Sequence, residues 1–247
     1  MPAKKPTIWL LDEYKLSRDS WWFRLGIPKT IDFSRYFFLR FKKDDTEAER
    51  KEYNNMSNEI LRVIHTHDRR EVLPQDMLPQ AMYADFKEMY AKFPKENLVK
   101  IPSFFSISNR FIVITERLAE LLGDFRLGTT QISPVKLYEQ STGELLSEQT
   151  FYFINVCEKH SYFLPEKRKS DAYLELVSRG DYSLYEHPSN KKNAKEYCFS
   201  QQALNCPVDI WHDPMIEYST FLSDPLQQAI KKAGLNKGIS WFPYILV

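Results

Sequence analysis

The sequence predicts an α+β fold with mixed and antiparallel sheets, built around a strand–helix–strand unit that occurs twice. Three observations predict it. Residues 104–156 read as strand, helix, strand, turn, strand. Residues 217–247 repeat the order strand, cap, helix, turn, strand. Each second strand carries a proline, Pro134 and Pro243, at a matching place.

The elements follow in chain order. TIWLLD (7–12) and SRYFFLRF (34–41) read as strands, joined by a loop holding Gly26 and Pro28. KKDDTEAERKEYNNMSNEILRVI (42–64) is highly charged and then apolar at Ile60, Leu61 and Ile64, which suits a surface segment, partly helical, or a mobile loop. Met82, Phe86, Met89, Tyr90 and Phe93 fall at helical spacing, so 75–93 is read as a helix that Pro94 stops. The apolar run Phe111 to Ile114 is a strand. Thr115 follows as an N-cap, with Glu116 in the first turn and Leu118, Leu121 and Leu122 as the apolar stripe. Gly123 or the FRLG turn ends that helix. QISPVKLYE is the next strand, STGE a turn and QTFYFINV a further strand. In the second copy Ser223 replaces Thr115, Asp224 replaces Glu116, Leu226 replaces Leu118 and Leu235 replaces Leu127. Residues 166–200 are polar and turn-rich and read as loops with short strands.

The chain has 247 residues, 43% hydrophobic and 27% charged, an ordinary globular composition able to bury a sizeable core. It is drawn as an N-terminal α+β lobe, 1–100, and a C-terminal lobe, 101–247, holding both repeated units; one continuous domain is the other drawing. Lys and Arg number 34 against 33 Asp and Glu, a net charge of +1. Nothing global therefore draws the chain to nucleic acid or an anionic membrane. No run approaches the roughly 18 apolar residues of a membrane-spanning helix. The apolar stretch Ile8 to Leu11 is too short for a secretion signal, so the expected location is cytoplasmic. Cys157, Cys198 and Cys206 lack CxxC spacing and read as reduced, buried thiols.

Catalytic patterns are scarce. There is no GxSxG, P-loop, GxGxxG or HExxH motif, and only 7 glycines. His65 and His67 could share one face of a strand, with Asp68 as the only nearby third ligand; exposed or helix-end histidines are the favoured reading. WHDP (211–214) invites a His–Asp pair, but adjacent residues of a strand point to opposite faces, so a polar turn is expected. Cys157 and His160 have no activating base beside them, and EKRKS (166–170) reads as a solvated loop. The expectation is a binding protein, not an enzyme, with no metal or organic cofactor. A hydrolase with a dispersed site and an adaptor of a secretion machine are the alternatives.

Two segments resemble the immunity proteins of bacterial polymorphic-toxin systems. The first runs through Ile114, Thr115, Glu116, Arg117 and Leu118, then Pro134 and Val135, then Tyr152 to Val156 with Asn155. The second is the closing motif: Ser223, Asp224, Leu226, Ala233, Gly234, Leu235, Gly238, Phe242 and Pro243. Together they cover 105–157 and 215–247. Thr115 stands where the family has serine, Gly238 comes one residue late, and the acidic stretch that often follows Asn155 is basic here. The resemblance implies a cytosolic partner of a secreted toxin, delivered by a contact-dependent or type VI apparatus, with a nuclease as the favoured toxin class. Such a partner neutralises the toxin by stoichiometric binding and needs no chemistry of its own. Asp44, Asp45, Glu47 and Glu49 are the first candidates for contact, since charge steering speeds capture of a basic toxin.

Overall fold

The computed structural model describes residues 7–12, 23–26, 31, 33–84, 101–107, 110–140, 142–167, 176–179, 182–185 and 197–247. The strands are β1 (Thr7–Leu11), β2 (Phe23–Gly26), β3 (Ala81–Ala84), β4 (Phe104–Ser106), β5 (Ile112–Thr115), β6 (Gln131–Glu139), β7 (Leu145–Asn155), β8 (Leu176–Arg179), β9 (Tyr182–Tyr185), β10 (Ile210–Trp211), β11 (Phe221–Ser223) and β12 (Trp241–Ile245). The helices are α1 (Phe33–Phe41), α2 (Glu47–Asp68), α3 (Glu116–Leu122) and α4 (Asp224–Lys232). The class is α+β, as the sequence predicts.

Six strands form one sheet in the order β2-β3-β6-β7-β5-β4, antiparallel except for the pair β3 and β6. Four form a second, wholly antiparallel sheet, β10-β11-β1-β12. β8 and β9 make a separate hairpin. The division at residue 100 is crossed by both sheets: β1 lies inside the sheet of β10 to β12, and β3 pairs with β6.

The repeated unit is real in topology. β5 and β6 are parallel to each other and flank β7, antiparallel to both. β11 and β12 likewise flank β1. Each unit is therefore a split strand–helix–strand with a foreign strand inserted. In the first unit that strand follows directly in sequence; in the second it comes from the start of the chain. Leu118 and Leu122 of α3 and Leu226 and Ile230 of α4 enter one core with Leu11, Ile114, Ile154 and Leu222, so the helices and the facing sides of both sheets are joined. The two prolines sit where a missing N–H costs no ladder bond. Pro243 is on the edge strand β12, and Pro134 lies beyond the stretch of β6 that pairs with β3, which begins at Lys136.

The opposite face of the six-stranded sheet, through Phe105, Val113, Val135, Phe151 and Phe153, packs on Val63 of α2 and on Leu73, Met77 and Leu78. The outer face of the four-stranded sheet carries an aromatic core of Phe163, Tyr197, Phe199, Trp211, Phe221 and Tyr244. Among the described residues, most of the phenylalanines thus fill the core.

Three expectations are corrected. SRYFFLRF is helix α1, not a strand: Tyr36 and Leu39, three apart, are buried while Phe38 is 56% exposed. Of the helix expected over 75–93, Gln75–Met77 is a single 3-10 turn and Ala81–Ala84, with Met82, is strand β3, while 85–93 fall outside the described residues. Residues 47–68 are continuous helix. Thr46 caps it, accepting the Glu49 N–H while Glu49 accepts the Thr46 N–H, a reciprocal capping box.

The caps of the two units differ. Ser223 accepts the Leu226 N–H, as expected for an N-cap. Thr115 has the backbone geometry of an N-cap but its hydroxyl accepts no helix N–H. It is still the last residue of β5, paired with Phe151, and its own N–H donates to the Ser103 carbonyl, so its backbone belongs to the sheet. The closing Ala233-Gly234-Leu235 is a Schellman motif. Leu235 N–H donates to Ile230 O, Gly234 N–H to Lys231 O, and Gly234 holds φ +70°.

Candidate functional site

The four acidic candidates cluster at the start of α2, but two are occupied within the chain. Glu49 completes the capping box and pairs with Lys42 at 2.7 Å; hydrogen bonds from Lys42 and the Thr46 backbone hold its carboxyl down at about 2. Asp45 pairs with Arg50 at 3.2 Å. Asp44 and Glu47 lie on the surface. Arg35 pairs with Glu52 at 2.7 Å and, with Lys42, lies over the exposed ring of Phe38.

The more distinctive site is at the other end of α2. His65 and His67 stand on this helix, not on a strand. Two residues apart, they face different ways. His65 is exposed, and His67 is buried edge-on against Phe111 with ring centroids 4.5 Å apart. The helix closes with the same hydrogen bonds as α4: Glu71 N–H to Thr66 O and Arg70 N–H to His67 O. The residue in the left-handed position, where α4 has Gly234, is Arg70 at φ +53°. An arginine there stores roughly 1–3 kcal/mol of strain, and its side chain is only 5% exposed.

Arg70 lines an open cleft of about 530 Å³ with Arg69, His65, His212, Glu217 and Tyr218, among others. A neighbouring hollow of about 400 Å³ shares His65 and Arg69 and runs back along α2 past Arg62 to Asn58. Among the described residues the other non-glycine positions with positive φ are Tyr218 (+48°) and Arg110 (+58°). Tyr218 is also in the cleft wall, and the Arg110 guanidinium stacks on its ring at 3.7 Å. Two of the three strained residues thus line one cleft and the third stacks on one of them; strain of this kind tends to gather at functional surfaces.

The cleft is held by clamps. Asn155, fully buried, donates from Nδ2 to Glu71 O (2.9 Å) and to Gln131 Oε1 (3.1 Å). Gln131 in turn brackets the backbone of Leu73, accepting its N–H and donating to its carbonyl. The chain just after Arg70 is thereby fastened to β6 and β7. On the other wall, Asp213 is also fully buried. Its carboxylate accepts the N–H groups of Tyr162, Phe163 and Met215 at 2.7, 2.8 and 3.0 Å, and Ser219 bonds its backbone. Burial raises the Asp213 carboxyl, and the three N–H bonds oppose that rise. Asp213 is therefore a fastener, not the acid of a His–Asp pair.

His212 is 8% exposed and its Nε2 has no hydrogen-bond partner. Burial, then Arg70 and Lys159, push its pKa down to about 3, so the ring is neutral. A hydrogen bond to the Asp213 backbone works the other way. Cys157 is buried with its thiol pushed up to about 11, which suits an inert core thiol.

Asp209 was not singled out by sequence, yet it staples the two units. It accepts from the Arg126 backbone N–H and guanidinium at 3.0–3.2 Å and from the Ser223 hydroxyl at 2.7 Å. Of the motif residues, Glu116 is exposed beside Tyr152, Asp224 accepts the Trp9 indole N–H at 2.9 Å, and Gly238 turns the chain against Pro102. No residue trio capable of holding a metal occurs among the described residues, and no helix among them is long and apolar enough to cross a membrane. No protein-family model and no curated protein matches the chain.

Proposed function

We propose that this chain is a cytoplasmic immunity protein that neutralises a cognate secreted bacterial toxin by stoichiometric binding. The observation that carries the reading is that both segments resembling immunity proteins fold as the same split unit, share one core and are stapled through Asp209. Among the motif residues Ser223 caps, Gly234 closes a helix and Asn155 fastens the chain, while the Thr115 hydroxyl does not cap. The cleft supplies a contact surface. We assign the grip to the C-terminal end of α2, because Asp45 and Glu49 at its start are spent on internal pairs. Asp44 and Glu47 are left for steering, roughly 30 Å away along a 22-residue helix. A nuclease is the toxin class that suits a cytoplasmic inhibitor. Co-expression in a sensitive bacterium with the toxin encoded beside this gene tests the proposal. Rescue of growth and a 1:1 co-purifying complex are expected; unprotected growth arrest with no complex rejects it.

One observation favours a hydrolase as the second reading: a neutral, buried imidazole in the wall of an open cleft. Turnover of ester or phosphoester substrates that disappears in His212→Gln would support that reading in place of binding.

A further inference from the structure

We propose that the exposed face of α2, over its second half, is an electropositive docking surface that holds an acidic segment of the protein partner. That the partner is a toxin rests on the immunity reading; the surface rests on its own geometry. Lys51, Asn55, Asn58, Arg62, His65 and Arg69 are all exposed and follow one another at three or four residues, so they form one line along the helix, about 27 Å long. Arg62, His65 and Arg69 also line the hollow of about 400 Å³, whose wall contains no acidic side chain. Among the described residues neither Lys51, Arg62 nor Arg69 pairs with a carboxylate. Glu59 stands off the line and has an interaction of its own, and Asp68 faces the neighbouring cleft. Around the first half of α2 the pattern is the opposite: Asp45, Glu49 and Glu52 hold Arg50, Lys42 and Arg35. A helix face that meets only water gains from such pairs, and the second half forgoes them. Asn54, Asn55 and Asn58 are exposed in mid-helix, and their amides have no hydrogen-bond partner among the described residues. Asparagine is a weak helix former, so helix stability does not account for three of them there.

Charge complementarity selects the occupant. Arg62 and Arg69 are two helical turns apart, about 10.5 Å, and a segment with carboxylates at that spacing can meet both guanidinium forks. The asparagine amides both donate and accept, as a polypeptide backbone does, and Leu61, 47% exposed, adds an apolar contact beside them. A nucleic-acid strand fits less well. The same line opens with exposed Glu47, close after exposed Asp44, and both repel phosphate. The net charge of +1 supplies no wider attractive field. A polypeptide can change its charge along its length: acidic opposite Arg62 and Arg69, neutral opposite the asparagines, basic opposite Glu47. A nuclease toxin held in this way is held by a surface other than its phosphate-binding groove.

The test titrates the intact protein, at neutral pH and low salt, into a fluorescein-labelled oligoglutamate and, separately, an oligothymidylate of equal length, and reads fluorescence anisotropy. Oligoglutamate is expected to bind saturably and to be released by added salt. The double variant Arg62→Glu, Arg69→Glu should weaken it at least about tenfold. Arg62→Gln, in mid-helix where it disturbs no cap, should weaken it severalfold. Reversing Lys231 and Lys232 together, exposed at the end of α4, should leave it unchanged. Circular dichroism and a melting curve report that each variant folds. No binding of oligoglutamate, equal binding by the Arg62 and Arg69 variants, loss on reversing Lys231 and Lys232, or tighter binding of oligothymidylate would each overturn the surface. Oligoglutamate binding as expected by a protein that fails to rescue growth would leave the surface standing and reject only the toxin as its partner. Rescue and toxin affinity unchanged in the double variant would do the reverse.

Discussion

Asn155 offers the sharpest check on how the cleft is built. Its amide nitrogen donates to Glu71 O and Gln131 Oε1 from a fully buried position. Replacing it by Ala removes two hydrogen bonds at about 1 kcal/mol each, while Gln131 Oε1 keeps the Leu73 N–H, so a loss of about 2 kcal/mol is expected. Asn155→Asp is nearly isosteric but worse at pH 7. It sets a buried carboxylate against a carbonyl and an amide oxygen, and an uncompensated buried charge costs about 3–5 kcal/mol. The sign with pH follows from the repulsion. That Asp would have its folded pKa raised, so the destabilisation is present at neutral pH and fades as pH falls through the raised value. Asn155→Ala should show no such recovery relative to wild type. Urea unfolding at pH 7 and pH 5, with hydrogen exchange at the Leu73 amide, measures both. If Asp is tolerated as well as Ala at pH 7, or if both cost under about 0.5 kcal/mol, the amide is not the clamp described.

Three further outcomes are expected. Ser223→Ala should cost about 1–2 kcal/mol in thermal or urea unfolding, because the hydroxyl both caps α4 and donates to Asp209, whereas Thr115→Ala should cost only a few tenths. The Asp209 carboxyl is pulled below its ordinary range: burial raises it, but Arg126 and Ser223 more than offset this. The stability it contributes is therefore complete above the ordinary carboxylate pKa and drains away as pH falls from there through the lowered value; a pH titration of stability should lose this component in Asp209→Asn. Gly128 holds φ +58°, and a methyl group there would run into the Glu158 carboxylate that accepts the Thr129 N–H. Gly128→Ala is expected to lose more than about 1 kcal/mol, readable as a lowered melting temperature.

The repeated units were legible because their signals are local. A cap residue, an apolar stripe, a Gly-Leu closure and a strand proline each act within a few positions. α1 was misread because the run Tyr36 to Leu39 is apolar throughout, so its periodicity says nothing until burial picks out Tyr36 and Leu39. Met82 was assigned to a helix because i, i+4 spacing also arises by chance in a strand followed by other apolar residues. The cleft was hidden for a different reason. Its clamps join partners far apart in sequence: Asn155 to Glu71, Gln131 to Leu73, Asp213 to Tyr162. Its left-handed arginine gives no compositional sign, since arginine is the residue least expected where α4 uses glycine.

The position of β1 has a consequence for how the protein is made. Leu10 pairs with Phe221 on one side and Phe242 on the other, so β1 is completed by strands synthesised long after it. At roughly 5–20 residues per second, more than ten seconds of synthesis separate them. Throughout that time Thr7–Leu11, apolar at four of its five residues, has neither neighbour to pair with. Anything in the cell that binds extended apolar chain competes with β11 and β12 for the same segment, and how much active protein accumulates is decided in that interval as much as by the stability of the finished fold.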